Sequence, residues 1–586
     1  MSVLQKLKEA TALHQIADLL GYSAKGLSYV LYQLPMSEKY KAFPIKKKDG
    51  TDRIIKAPTL QLKKLQKHLA NLLYACRSEM EKEGFKNTVS HGFRRGHSIV
   101  TNAEQHRQSR FVFNLDLQDY FPTFTFWRVR GFFMKDKQFA LHEKVATIIA
   151  QIACDGTALP QGSPCSPVIS DLVGQILDQR LVRLAKKYQV TYSRYADDIT
   201  FSTRQKEFPS AIACEEPAGS GEWQIGLELL DRIENADFEV NPEKTRMSVK
   251  TSRQSVTGLV VNSKVNVPSE YFRNAKAMCR NLFNEGRYYR SHLPPEVEGG
   301  EPQPEWTTNT KPLHGIIGHV HYVKSKAVRR DLGNIKDLGP ADKKIKPPAA
   351  RTLFRKFLFY TTFVALDRPL IVAEGKTDIV YLREAIKRLP QYHPVLGQFV
   401  DGKFESAVRL FRYPKDKPKH EPINRMNEIL EITGGAAGLR SIVLDYDRIL
   451  PKIIHRPMAH PVILLLDNDD GLSHIDKAIK KHFDVQISKK TTLPSYHLAH
   501  NLYVVKTPES GEDDTFIEQL FPQEWLEKPL GDKKFNPNKK HGAGGEYGKA
   551  EFAEKIVRPN ASDIEFGGFS PLLDRIVDAI THHYNK

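Results

Sequence analysis

Three apolar runs in this sequence end in acids, and that pattern constrains the fold more than any other feature. Phe111-Val112-Phe113-Asn114-Leu115-Asp116-Leu117 carries Asp116 near its end, Leu370-Ile371-Val372-Ala373 runs into Glu374, and Val462-Ile463-Leu464-Leu465-Leu466 runs into Asp467-Asn468-Asp469-Asp470-Gly471. Short apolar runs of this kind read as buried strands. Acids at strand ends stand where open α/β sheets place their sites. A further acidic feature, Tyr195-Ala196-Asp197-Asp198, is flanked by Tyr192, Ile199 and Phe201, so Thr191 to Ser202 reads as strand, turn, strand with both acids at the turn. Carboxylates far apart in sequence and gathered at strand ends would repel one another without cations. With hard Mg²⁺ ions they form the oxygen-ligand set that two-metal phosphoryl transfer requires.

Composition narrows the classes further. With 586 residues, 40% of them hydrophobic, the chain has material for several cores, and the expectation is a soluble, multi-domain protein. No uninterrupted apolar stretch reaches the ~18–20 residues of a membrane span, and Glu9 and Asp18 interrupt the N-terminal apolar pattern, so a cytoplasmic protein with no membrane partner is expected. The five cysteines include no Cys-x-x-Cys pair, which leaves neither a disulfide framework nor a zinc ribbon, and any metal must sit on oxygen ligands. A net charge of +18 suits a polyanionic partner.

Leu4 to Leu34 shows helical spacing broken at Gly21, read as two short helices that form either a helical cap on the next domain or a helix-turn-helix, and Lys46-Lys47-Lys48-Asp49-Gly50 with Arg53-Ile54-Ile55 behind it is a hairpin signal with a basic tip. Val168 to Lys187 has helical periodicity, Ser255 to Val267 returns to strand, and Tyr271 to Phe359 is helical and basic. The composition changes again at Asp367-Arg368-Pro369, where a second α/β pattern begins.

In the first half the motifs resemble those of the reverse transcriptases, and within them the bacterial retron type. Asn114 to Phe121 resembles the first palm motif, Leu159-Pro160-Gln161-Gly162-Ser163-Pro164-Cys165-Ser166-Pro167 the template- and nucleotide-positioning motif, Tyr195 to Asp198 the catalytic hairpin, and Asn241-Pro242-Glu243-Lys244-Thr245 the motif after it, in the family's order across roughly the first 270 residues. The resemblance implies a right-hand polymerase in which Asp116, Asp197 and Asp198 are catalytic and hold two Mg²⁺ ions. It also implies that Arg53 and one lysine of the Lys46 to Lys48 group, taken as Lys47, meet the incoming triphosphate, that Lys244 lies near it, that Gln161 borders the nucleotide, and that Phe121 excludes a 2′-hydroxyl. Asn102-Ala103-Glu104-Gln105-His106 and Val256-Thr257-Gly258-Leu259 resemble retron enzymes in particular. Asn102 and His106 read from the residues alone as capping or packing groups, and the resemblance makes them RNA-contact candidates. Arg351 and Lys356 are candidates for phosphate contact in the basic thumb.

The second half resembles the TOPRIM fold of topoisomerases, primases and the overcoming-lysogenization-defect nucleases. Glu374-Gly375-Lys376-Thr377-Asp378, the Asp467 to Gly471 run, Gly511-Glu512-Asp513-Asp514 running into Phe516-Ile517-Glu518, and Tyr547-Gly548-Lys549-Ala550-Glu551-Phe552 carry that likeness. It implies a nuclease in which Asp467 and Asp469 bind one or two Mg²⁺ ions, Glu374 acts as general acid/base or further ligand, and Lys549 neutralises phosphate. The early glycine in the acidic run leaves Asp469 and Asp470 as alternatives for the second ligand.

The expected fold class is thus multi-domain α+β and α/β: N-terminal helices and fingers over 1–110, palm over 111–267, helical thumb over 268–366, and a TOPRIM-type α/β domain over 367–586. The resemblance implies RNA-directed DNA synthesis from deoxynucleotides on a cognate structured non-coding RNA. Synthesis would be primed by a guanosine 2′-hydroxyl and would give branched RNA-linked DNA (msDNA), with a host ribonuclease H removing template. The nuclease, with its own nucleic-acid target, would be a toxic effector in antiphage defence. An intron-type maturase or mobile-element polymerase, and an RNA-binding scaffold with an inactive docking module, are the alternatives.

Overall fold

The computed structural model describes residues 1–46, 50–84, 87–217, 219–289, 305–331, 348–413, 422–432, 434–510, 513–537 and 545–586. Lys47, Gly511 and Glu512 lie outside the described residues. Two compact units are present, Met1–Phe272 with Tyr322–Leu338, and Arg273–His321 with Gly339–Lys586. The helical stretch expected over 268–366 is therefore divided between them and is not a unit of its own. Among the described residues no helix is long and apolar enough to cross a membrane.

The first unit is built on a helical bed. Helix Leu60–Lys82 buries Leu62, Leu65, Leu69, Leu73, Cys76 and Met80, a stripe at helical spacing, in one core with helices Glu143–Ala153 and Ser166–Lys187. The short helices Val3–Glu9 and Leu13–Leu20 add Leu4, Leu7, Ile16 and Leu20 to that core, and Gly21 ends the second in the left-handed region at φ 68°. They pack as a cap, and with Ala24–Ser28 beyond Gly21 the segment holds more helices than the two expected. Their start is fixed by Glu79, whose carboxylate accepts from the Val3 and Leu4 amides at 2.9 and 2.8 Å.

Over this bed lies a four-stranded antiparallel sheet in the order Thr191–Tyr195, Asp198–Thr203, Phe111–Leu117, Val240–Val249. The hairpin Tyr40–Lys46 with Asp52–Pro58 is separate and largely exposed. The expected strand from Ser255 to Val267 is reduced to Ser255–Val256 paired with Leu259–Val260. Thr257 and Gly258 both have positive φ, at 46° and 79°, so the chain reverses in a two-residue turn before a longer strand can form.

The second unit holds a five-stranded sheet in the order Arg409–Leu410, Leu370–Ala373, Val462–Leu466, Leu502–Lys506, Tyr496–Ala499, parallel except for the last pair. Its central strands are buried on both faces, which explains their unbroken apolar runs. One face packs on Met278, Phe283, Phe354, Phe357 and helix Gly435–Arg448, the other on Tyr381, Phe521, Phe552 and helix Ser570–Tyr584.

Candidate active sites

The antiparallel register sets the first cluster. Asp116 lies directly opposite Asp198 on one neighbour and opposite Asn241 on the other. Asp197 occupies the turn joining Tyr195 to Asp198, and the Leu117 amide donates to its carbonyl at 3.1 Å. The Asp198 carboxyl is pushed up to about 6, by partial withdrawal from water first and then by the charges of Asp197 and Asp116, although the residue keeps a solvent-facing side. Asp197 is raised as well, by burial and then by Asp116, with Lys244 and Arg53 opposing the shift. Three mutually repelling carboxylates suit a hard cation by donor chemistry. Among the described residues no group of three or more His, Cys, Asp and Glu side chains is gathered closely enough to hold a metal ion as it stands. Lys244 instead donates to Asp116 at 2.8 Å, so a cation reaching that carboxylate must displace an ammonium.

The turn itself is strained and braced. Ala196 sits in the left-handed region at φ 58°, a conformation that costs a non-glycine residue about 1 kcal/mol. Its carbonyl accepts from Arg194, whose side chain is fully buried. That guanidinium also grips Asp178 with two bonds at 2.7 and 2.8 Å, reaches Asp171 at 3.3 Å and donates to the Tyr120 hydroxyl at 2.9 Å. Asp171 is further paired with Arg77 and bonded by Ser90, and Asp178 accepts from Tyr192 at 2.8 Å. Backbone pairing adds to this: Arg194 donates to Val89 and His91 to Arg194. Gly92 then passes so close that a Cβ there would stand 2.5 Å from the Ala196 nitrogen. Arg194, Asp171, Asp178 and Gly92 were not singled out from the sequence, but a signal exists. Arg194 and Tyr192 share a strand face by two-residue alternation, and Asp171 and Asp178, seven residues apart, share the buried face of a helix.

The opposite face of the hairpin corrects an expectation. Asn102 and His106, RNA-contact candidates by resemblance, are both 0% exposed, so RNA cannot reach them. His106 bonds Ser202 and Ser193 at 2.7 Å each, and Ser193 donates to Asn102 at 2.7 Å. Burial, and then His91, takes the His106 imidazole down to about 3, so it packs neutral between the two strands of the hairpin. The residues-only reading as packing groups agrees with this. Thr257 donates to the Ile99 carbonyl at 3.3 Å, which ties the Val256–Leu259 turn to the start of the helix Ile99–Glu104 that carries Asn102.

Around the cluster, Gln161 accepts the Lys56 amide through its carbonyl at 2.9 Å, tying its loop to the strand that carries Arg53. Gly162 follows at φ 122°, where a Cβ would meet the Lys56 carbonyl at 2.8 Å. Arg53 is exposed, and Phe121 is half-buried against Phe93 and Tyr120 at ring separations of 6.0 and 5.5 Å.

The second cluster follows from parallel pairing. Ala373 pairs with Leu465, so Glu374 and Asp467 leave adjacent strands at the same sheet end. Glu374 accepts the Ala436 amide at 3.0 Å, Asp467 the Ile517 amide at 3.1 Å and Asp469 the Gly471 amide at 2.8 Å. Glu374 is raised by burial and then by Asp469 and Asp378, and Asp467 is raised strongly by burial and then by Asp378. Between the alternatives, Asp469 belongs to this group. Asp470 turns outward to Lys489 at 2.7 Å, which holds its carboxyl below the ordinary range. Two further acids join: Asp378, which accepts the Gly375 amide at 2.7 Å, and Glu518, which is 1% exposed. Lys549 lies 2.9 Å from Glu518; burial opposes its charge, and Glu518 overrides this and holds the ammonium above its ordinary value. Asp378 and Glu518 stood inside the quoted motifs without assigned roles.

Arg351 and Lys356 require a second correction. Arg351 lies 3.5 Å from Glu431 and donates to the Glu428 carbonyl, and Lys356 donates to the Lys452 carbonyl beneath a Phe283 ring 4.4 Å away. Both side chains stay part-exposed, and the correction is to their place: the helix Ala349–Phe359 that carries them packs in the second unit rather than in a free-standing thumb.

Comparison with known proteins follows this division. Residues 45–261 match the family model described as reverse transcriptase (RNA-dependent DNA polymerase). The retron Ec73 reverse transcriptase of Escherichia coli is 31% identical over 42% of this chain and 76% of its own length. The chain belongs to the retron reverse transcriptases. The retron Mx162 and Mx65 reverse transcriptases of Myxococcus xanthus are each 32% identical over 47% of this retron-family chain, which spans 59% and 65% of their respective lengths. Among solved structures, telomerase from Candida albicans aligns over 55% of this chain and 63% of its own at 11% identity, with a TM-score of 0.29.

Proposed function

We propose that this chain is an RNA-directed DNA polymerase that copies a cognate structured non-coding RNA from a guanosine 2′-hydroxyl into branched RNA-linked DNA. The observation that carries this reading is the register that sets Asp116 against Asp198 with Asp197 in the adjoining turn, in a chain of the retron family. Asp116, Asp197 and Asp198 would hold two Mg²⁺ ions, which supply charge neutralisation and Lewis acidity when bound. Lys244 would move from Asp116 to the triphosphate as the cations arrive. Arg53 would contribute a charge-assisted donor to the same triphosphate, and Lys47 is proposed beside it from the sequence alone. Gln161 would border the base pair, and Phe121 would stand where a ribose 2′-hydroxyl would project. A host ribonuclease H would remove template.

The second unit is proposed as a Mg²⁺-dependent TOPRIM-type nuclease and toxic effector in antiphage defence. Glu374, Asp467 and Asp469 would hold one or two ions. Lys549 would shift from Glu518 toward a cleaved phosphate. The support is the gathering of acids at one end of a parallel sheet, each anchored by a backbone amide. In the polymerase reading, nucleic acid co-purifying with the chain from cells carrying its flanking DNA includes a small DNA that changes mobility after debranching enzyme. Bound RNA without covalently attached DNA overturns that reading.

A further inference from the structure

The edge of the five-stranded sheet carries a cavity of about 720 Å³ that neither proposed activity uses. It opens where edge strand Arg409–Leu410, helix Asp378–Arg388, hairpin Gly397–Ser406 and the chain leading into Leu370 come together. Among the described residues four arginines line it, Arg368, Arg383, Arg409 and Arg412, against one acid, Asp367. Asp367 is shared, lying 3.5 Å from Arg368 and 3.4 Å from Arg409. Arg368 also donates to the Ser406 carbonyl at 3.0 Å, which fixes its guanidinium at the rim. Arg383 and Arg412 are exposed, and among the described residues neither is paired with a carboxylate. The remaining wall mixes apolar side chains, among them Ile386, Phe404 and the buried Phe411, with Thr362 and Ser406.

A guanidinium cannot relieve crowding by losing its proton. Four of them around one cavity with a single shared carboxylate leave a standing demand for an anion. Planar forks match phosphate oxygens with paired bonds, a volume within the ~300–1,000 Å³ range of ligand clefts admits a nucleotide, and the half-buried Phe404 is the aromatic ring within reach of a base. We propose that this cavity binds the phosphate ester of a nucleotide unit, supplied either by a free nucleotide or by a single nucleic-acid strand. It belongs to the second unit alone, so the proposal holds whether or not the acid cluster there cuts nucleic acid.

The test is binding by the full chain in EDTA, which keeps metal-dependent binding at the acid clusters out of the signal. Fluorescein-labelled oligothymidylate of about twelve nucleotides, long enough for several single-strand contacts, and a labelled adenosine triphosphate are titrated separately, with Arg383→Gln/Arg412→Gln as the variant. If a strand is the source, the variant loses about tenfold in oligonucleotide affinity, and its salt dependence is shallower by about 1.4, two contacts at about 0.7 each. Loss confined to the triphosphate assigns a free nucleotide. Unchanged affinity for both probes overturns the proposal. As a check needing no variant, inorganic phosphate should protect Arg383 and Arg412 of the native chain from phenylglyoxal, read by mass spectrometry, and equal labelling with and without phosphate overturns it too.

Discussion

In the four-stranded sheet Asp116 and Asp198 face each other across antiparallel strands, whereas in the five-stranded sheet Glu374 and Asp467 follow neighbouring parallel strands. The first arrangement joins acids that follow one another in a hairpin to one from a third strand. The second collects acids from loops that end separate strands. The cations differ correspondingly. Lys244 sits on Asp116, itself one of the expected ligands, while Lys549 sits on Glu518 and leaves Glu374, Asp467 and Asp469 anchored by amides. Burial raises carboxyls in both clusters, and the difference lies in the ammonium, which rests on an expected ligand in the first and on a neighbouring acid in the second.

Crossed substitutions test whether the two clusters work separately. Asp197→Asn with Asp198→Asn should cut DNA synthesis by at least about a hundredfold, the scale for losing transition-state electrostatics, while RNA binding and any nuclease activity persist. Glu374→Gln should do the reverse. Synthesis lost in the Glu374 variant would make the clusters interdependent and end the comparison. Next in size is Arg194→Met, which leaves Asp178 buried without its bidentate partner. We expect a loss of about 3–5 kcal/mol in denaturant unfolding of the first unit, with Arg194→Lys recovering only part because an ammonium lacks the fork.

The lysine contrast predicts a smaller effect. In a Glu374→Gln background that silences the second cluster, Lys244→Met should tighten Mg²⁺ binding to the nucleotide-free chain about fivefold, equivalent to about 1 kcal/mol for an ion pair with one solvent-exposed partner, and weaken nucleotide binding. Weaker Mg²⁺ binding by calorimetry would show that Lys244 is not a competitor. The smallest effect concerns pH. Asp198 titrates near 6 in the folded chain and near 3.8 unfolded, so between those values the folded state holds a proton that the unfolded state has released. Its contribution to stability is greatest below the window and falls as pH rises through it. Asp198→Asn should therefore stabilise the chain above about pH 6 by about 1 kcal/mol, a figure reduced for screening at a solvent-facing side chain, and the gain should vanish below the window. A gain independent of pH would rule out charge repulsion as its source.

The sequence made the acids legible because strand-end carboxylates interrupt apolar alternation, and it made the helices legible where periodicity was long, as in Ser166–Lys187. It did not show what supports the hairpin. Arg194, Asp171 and Asp178 look like ordinary charges until a strand and a helix bring them within bonding distance, which is tertiary information. Asn102 and His106 were legible as packing groups on their own chemistry, and the family likeness misdirected them outward. The basic helices misled differently: Arg351 and Lys356 satisfy the expectation of charge, but their partners come from residues about a hundred or fewer positions downstream.

Gly92, Val89, Asn102, His106, Tyr120, Asp171 and Asp178 all precede the turn they hold. During synthesis from the N-terminus, the turn consequently emerges after the residues that grip its arginine. Its arginine meets two carboxylates already translated, so the most heavily buried charge in the first unit need not wait for a counter-charge still inside the ribosome.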